Sequence, residues 1–111
     1  MTRVEPVARL SELKDGARVH VEVDGRELTI LRQGDQVYAL RNRCPHANGR
    51  LGDGAVVDGK IVCPLHQWRF SLTDGSTRRD PRLRAETIEV RLREDDICLI
   101  LDDAEDAEKT S

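Results

Sequence analysis

An all-β fold is predicted by three features of this 111-residue sequence. Asp-Gly recurs at Asp15-Gly16, Asp24-Gly25, Asp53-Gly54, Asp58-Gly59 and Asp74-Gly75, a dipeptide that favours tight hairpin turns. Short segments between these turns alternate apolar and polar residues, the period of a strand with one buried face. The last of them, over residues 88–101, reads as a hairpin that closes a sheet.

Taken in order, Ser11-Glu12-Leu13 can start one helical turn, and Asp15-Gly16 stops it. Val19, Val21 and Val23 face one way and Arg18, His20 and Glu22 the other, which makes a strand. His20, on the polar side without a Cys or His at ligand spacing, reads as an ordinary surface histidine. Leu28-Thr29-Ile30-Leu31 follows the Asp24-Gly25 turn, and Val37-Tyr38-Ala39-Leu40 follows Gly34-Asp35. Ile88, Val90 and Leu92 alternate with Glu89, Arg91 and Arg93. Glu94-Asp95-Asp96 then turns the chain into Ile97-Cys98-Leu99-Ile100-Leu101. Cys98, inside that apolar run, is expected to be small buried filler. From Asp102 on there is too little apolar content to pack, so 102–111 is expected to be a disordered acidic tail.

This length suits a single domain, residues 1–101, with one modest core. No apolar run is long enough to span a membrane, and the first residues lack the layout of a signal peptide, so a cytoplasmic location is expected. The net charge of −3 is unevenly placed. Residues 102–111 carry −4, whereas residues 41–84 hold nine basic and four acidic residues, a net of +5. Those arginines are either solvated loop residues and internal ion-pair partners or a docking surface. The acidic balance and an aromatic content of 3% argue against nucleic-acid binding.

The chemistry lies in two short runs, Cys44-Pro45-His46 and Cys63-Pro64-Leu65-His66. Each offers a soft thiolate and an imidazole on one tight loop, and its proline fixes φ and lowers the entropy lost in assembling a site. Two Cys and two His also make a zinc ligand set, but zinc pairs usually join like with like, as C-x₂₋₄-C and H-x₃₋₅-H. A Cys44–Cys63 disulfide would leave two histidines unexplained at matching offsets. A zinc-stabilised interaction module is therefore the alternative of a different class.

C-x-H, a gap of this length and then C-x-x-H is the signature of the Rieske family, which this chain resembles over nearly its whole length. The resemblance implies a [2Fe-2S] cluster with Cys44 and Cys63 on an inner iron and His46 and His66 on an outer iron near the surface. It implies a Rieske-type antiparallel β-sandwich base, residues 1–41 and 85–101, with a cluster-binding subdomain, residues 42–84, inserted through two loops. Val56-Val57 and Lys60-Ile61-Val62, hinged at Asp58-Gly59, would form a hairpin between the ligand loops. Leu51, Leu65, Trp68 and Phe70 would give apolar cover, which limits water at the metal–sulfur core.

Some members tie the loops with an extra cysteine pair, absent here. High-potential members place Ser and Tyr after the second run, where this chain has Trp68 and Phe70. Fewer hydrogen bonds to sulfur leave the reduced cluster less stabilised, so the resemblance is to the low-potential soluble ferredoxins. Many members have Gly where this chain has Gln67, and small subunits of assimilatory nitrite reductases often carry a polar amide there. A mononuclear iron site needs two His and a carboxylate, yet His20 alone remains. No catalytic residue is assigned. The expected function is one-electron transfer from a flavin- or NAD(P)H-linked reductase to a terminal oxygenase, with service as a nitrite reductase small subunit as the alternative. No small-molecule substrate, membrane or nucleic acid is expected as a partner.

Overall fold

The structure is a computed structural model that describes residues 2–46 and 49–102. It contains nine strands: β1 (Thr2–Arg9), β2 (Arg18–Val23), β3 (Arg26–Gln33), β4 (Gln36–Arg41), β5 (Val56–Val57), β6 (Lys60–Val62), β7 (Arg69–Ser71), β8 (Thr87–Arg93) and β9 (Asp96–Asp102). Two 3-10 turns, Leu10–Glu12 and Leu51–Asp53, are the helical pieces among the described residues. One six-stranded antiparallel sheet has the order β1-β9-β8-β4-β3-β2, and a second sheet has the order β5-β6-β7. The all-β expectation holds.

The large sheet curls on itself. Its halves, β2-β3-β4 and β1-β9-β8, are joined by a short β4–β8 pairing, Ala39↔Ile88 and Leu40↔Thr87. Leu28, Ile30 and Ala39 from one half pack with Ile97, Leu99 and Leu101 from the other in one buried core. Removing that apolar surface from water is the main stabilising term, about 25 cal/mol per Å².

β3 is buried on both faces, which accounts for its unbroken Leu28-Thr29-Ile30-Leu31 run. Leu28 and Ile30 face the first core. Leu31, with Leu40 of β4, faces a second core made with Cys44, Leu51, Ile61, Cys63, Phe70, Leu72 and Ala85. The chain leaves the large sheet after Arg41 and re-enters at Thr87, beside the strand it left. The intervening segment sits on the outer face of β3 and β4, held there by the second core.

Two of the five Asp-Gly turns are hairpin turns with both residues at positive φ, Asp24-Gly25 and Asp58-Gly59, as a type I′ turn requires. The second joins β5 to β6, the hairpin expected between the ligand loops. Asp53-Gly54 differs: it closes the second 3-10 turn, and Gly54 has φ −76°. A Cβ on Gly54 would stand 1.8 Å from the Val62 carbonyl oxygen, so close approach and not turn geometry requires glycine there. Strand β1 lies at the sheet edge against β9, with a register irregularity between Pro6 and Ala8. Asp102, grouped with the tail on sequence, ends β9 opposite Thr2; residues 103–111 lie outside the described residues.

Candidate metal centre

The two Cys/His runs are loops closed in the same way. The Cys44 amide donates to the Gly49 carbonyl at 2.9 Å, and the Cys63 amide donates to the Trp68 carbonyl at 2.8 Å, five residues on in each case. The second loop is tightened further by Gln67, whose amide donates to the Cys63 carbonyl and whose φ is +60°. This left-handed conformation costs a non-glycine residue about 1–2 kcal/mol. It turns the chain sharply after His66 and brings Trp68 back over the loops.

The four candidate donors come together as two pairs, thiol with thiol and imidazole with imidazole. Cys44 and Cys63 are 1% and 0% exposed and share one core, both as thiols. His46 and His66 are exposed, their rings edge to face with centroids 5.1 Å apart. Gly49 passes so near the second loop that a Cβ there would lie 2.9 Å from Leu65 Cδ1 and 3.7 Å from Cys63 Sγ. The pocket is thus a cradle with soft donors inside and nitrogen donors outside. Among the described residues no three of His, Cys, Asp and Glu converge where one metal ion could sit. Two buried thiols with two exposed imidazoles beyond them are the donor set a two-iron cluster with two Cys and two His takes.

The expected apolar cover is uneven. Phe70 and Leu51 are fully buried beside the thiols, Trp68 is half-buried, and Leu65 is 58% exposed. Trp68 has a part that its type alone did not reveal. Its indole stacks on the His46 ring with centroids 3.7 Å apart and planes 14° from parallel. The Arg79 guanidinium also lies over the Trp68 ring, 5.8 Å from its centroid. The position of Trp68, two residues after His66, was the available signal.

A polar clamp fixes the first loop to the sheet. The buried Asn42 accepts from the Gly52 amide at 2.6 Å and donates to Glu27 at 3.0 Å. Arg18 donates to the carbonyls of Gly52 and Gly54. Arg50, counted on sequence among basic docking candidates, is instead paired with Glu27 at 2.7 Å and Asp53 at 2.9 Å. Those bonds from Arg50 hold both carboxyls below their usual range, with Asn42 adding to the effect on Glu27. His20 joins the clamp, bonded to Thr29 Oγ1 at 2.9 Å and close to Asp53 at 3.1 Å, so it is an exposed residue with a structural task. Cys98 is buried in β9, away from the loops, as expected.

A model of the Rieske [2Fe-2S] domain matches residues 3–99. The chain is 39% identical over 72 residues to the ferredoxin component of the naphthalene 1,2-dioxygenase system of Pseudomonas putida, a stretch covering 65% of this chain and 68% of that one. Among solved structures, the ferredoxin of carbazole 1,9a-dioxygenase from Nocardioides aromaticivorans IC177 superposes with a TM-score of 0.78 at 33% identity, covering 86% and 95% of the two chains. A putative NADH-dependent nitrite reductase small subunit from Mycobacterium tuberculosis gives 0.82 at 24% identity, covering 92% and 97%, a likeness of fold alone. No helix among the described residues is long and apolar enough to cross a membrane.

Proposed function

The chain belongs to the Rieske [2Fe-2S] family, and from that membership we propose that it is the ferredoxin of an aromatic-ring dioxygenase system, taking electrons from a flavin- or NAD(P)H-linked reductase and passing them to a terminal oxygenase. It is an electron carrier and not an enzyme by itself. In this reading Cys44 and Cys63 bind the inner iron and His46 and His66 the outer one. When bound, the cluster accepts and releases a single electron.

One observation carries the proposal: the thiols are buried and the two imidazoles are exposed. The imidazole edge is therefore the face a partner can approach. Cys44 and Cys63 keep the sulfur side dry, with Phe70 and Leu51 packed against it. The loop closures at Gly49 and Trp68 fix the orientation of the donors once the loops are shut. The two relatives named above that exceed 30% identity are ferredoxins of dioxygenase systems, whereas the nitrite reductase small subunit shares the fold alone, which supports a dioxygenase client.

The test is analysis of anaerobically purified protein followed by reconstitution. It should be red-brown, with two iron and two sulfide per chain, and an EPR signal of mixed nitrogen and sulfur ligation on reduction. Cys44→Ser or Cys63→Ser should lose the cluster. His46→Cys should lower the potential, since thiolate adds negative charge. Affinity capture from native extract should retain a dioxygenase or its reductase. Colourless protein with stoichiometric zinc would overturn the reading, and capture of a nitrite reductase large subunit would reassign the client.

A further inference from the structure

We propose that a cationic cleft beside the second ligand loop seats an acidic polypeptide segment of another protein. The proposal deepens the electron-carrier reading and rests on it for the purpose of the docking.

The cleft encloses about 490 Å³. Its floor follows from strand register: Lys60 on β6 pairs with Ser71 on β7, and Arg69 lies two residues before Ser71 on the same face. Phe70, between them, points the other way into the core. The segment from Ser76 to Arg79 forms the wall and contributes Arg78 and Arg79. Lys60, Arg69, Arg78 and Arg79 thus line one concavity, and no Asp or Glu lines it.

These four cations differ from the other basic residues around the insert. Arg50 is paired with Glu27 and Asp53, Arg41 reaches Glu86, Arg82 binds Asp80 and Arg84 approaches Asp74. Among the described residues Lys60, Arg69, Arg78 and Arg79 make no such ion pair. Like charges gathered in a concave, uncompensated site focus a positive potential that attracts an anionic partner. Several spaced cations on a strand pair and a facing loop fit an extended carboxylate-bearing chain better than a single small anion.

The cleft also points at the redox edge. Arg79 lies over Trp68, and Trp68 stacks on His46. A segment held in the cleft brings its parent protein over the exposed imidazoles. The seat is therefore an orienting device as well as an attractive one.

The experiment titrates the cluster-loaded protein into fluorescein-labelled octaglutamate at low ionic strength and reads fluorescence anisotropy. Wild type should bind. Arg69→Gln/Arg78→Gln should weaken binding by about tenfold or more, whereas Arg91→Gln/Arg93→Gln, on β8, should change it less than about twofold. Visible absorbance and reduction by dithionite, measured on every sample, report the cluster separately. Failure of the electron-carrier reading would show there, and failure of the docking proposal in the anisotropy. Equal weakening by both double variants, or no binding by wild type, would overturn the proposal. Binding that appears only after residues 103–111 are deleted would overturn it too, by making the chain's own acidic end the occupant.

Discussion

His46 and Trp68 lie face to face, ring centroids 3.7 Å apart and planes 14° from parallel. The exposed imidazole is thus fixed on one side by the one indole of the chain, and Arg79 lies over the same indole, 5.8 Å from its centroid. A histidine held this way cannot swing freely, so the orientation of this proposed outer donor is set by packing.

Trp68→Ala should keep the iron content at first but bleach faster in air. It should also raise the midpoint potential, because water admitted beside the loops donates hydrogen bonds that favour the more negative reduced cluster. One added hydrogen bond of about 1 kcal/mol corresponds to roughly 40 mV for one electron. Protein-film voltammetry reads the shift, and an unchanged potential would show that the stack only holds His46 in place.

Phe70→Tyr should raise the potential by a similar amount if the new hydroxyl reaches a ligand sulfur. Phe70 is wholly buried in the core that contains Cys44 and Cys63. A hydroxyl there that finds no partner would instead cost about 1–3 kcal/mol of stability without moving the potential. For wild type the expected midpoint is toward the low end of the Rieske range, on the order of −150 mV. A value well above zero would show that other donors set it.

Much of this was legible in the sequence, and the exceptions share a cause. The two Cys/His runs, the Asp24-Gly25 and Asp58-Gly59 hairpins and the closing hairpin are local patterns, readable within a few residues. Strand β1 was not read, because Pro6 and its exposed charged neighbours blur the alternation at a sheet edge. Whether Arg50 was an internal ion-pair partner or part of a docking surface stayed open on sequence, because Glu27, which it binds besides the nearby Asp53, lies 23 residues away. Asp53-Gly54 looked like a hairpin, although its glycine answers to Val62 across the fold. Long-range partners leave no mark on local pattern.

Gly54→Ala should destabilise the protein by several kcal/mol and lower cluster occupancy. A Cβ at that site meets the Val62 carbonyl at 1.8 Å, and Val62 cannot retreat without carrying Cys63 with it. Gly59→Ala is the control, since nothing lies within 4 Å of its Cβ position and only its φ of +75° is strained. Iron per chain and chemical denaturation midpoints separate the two. Equal losses would show that the Val62 contact yields easily.

Acid should loosen the insert. Glu27 and Asp53 have lowered pKa values in the folded state, chiefly through Arg50. Their contribution is therefore full above the unfolded carboxylate range, about pH 4, and is lost as pH falls through the lower folded values. Urea midpoints measured downward from neutral pH should drop across that window in wild type and drop less in Glu27→Gln/Asp53→Asn. Parallel curves would place the acid sensitivity elsewhere.

The depth of Cys44 and Cys63 bears on how the finished protein is made. Neither thiol meets solvent once the two loops have closed over it. With Cys44 and Cys63 as the proposed ligands, iron and sulfide delivered by a biosynthetic donor reach the chain while those loops stand apart, before the second core has consolidated. Maturation and folding are in that sense one event. A mutation that speeds loop closure would trap empty chains, lowering the yield of working carrier with every proposed ligand still in place.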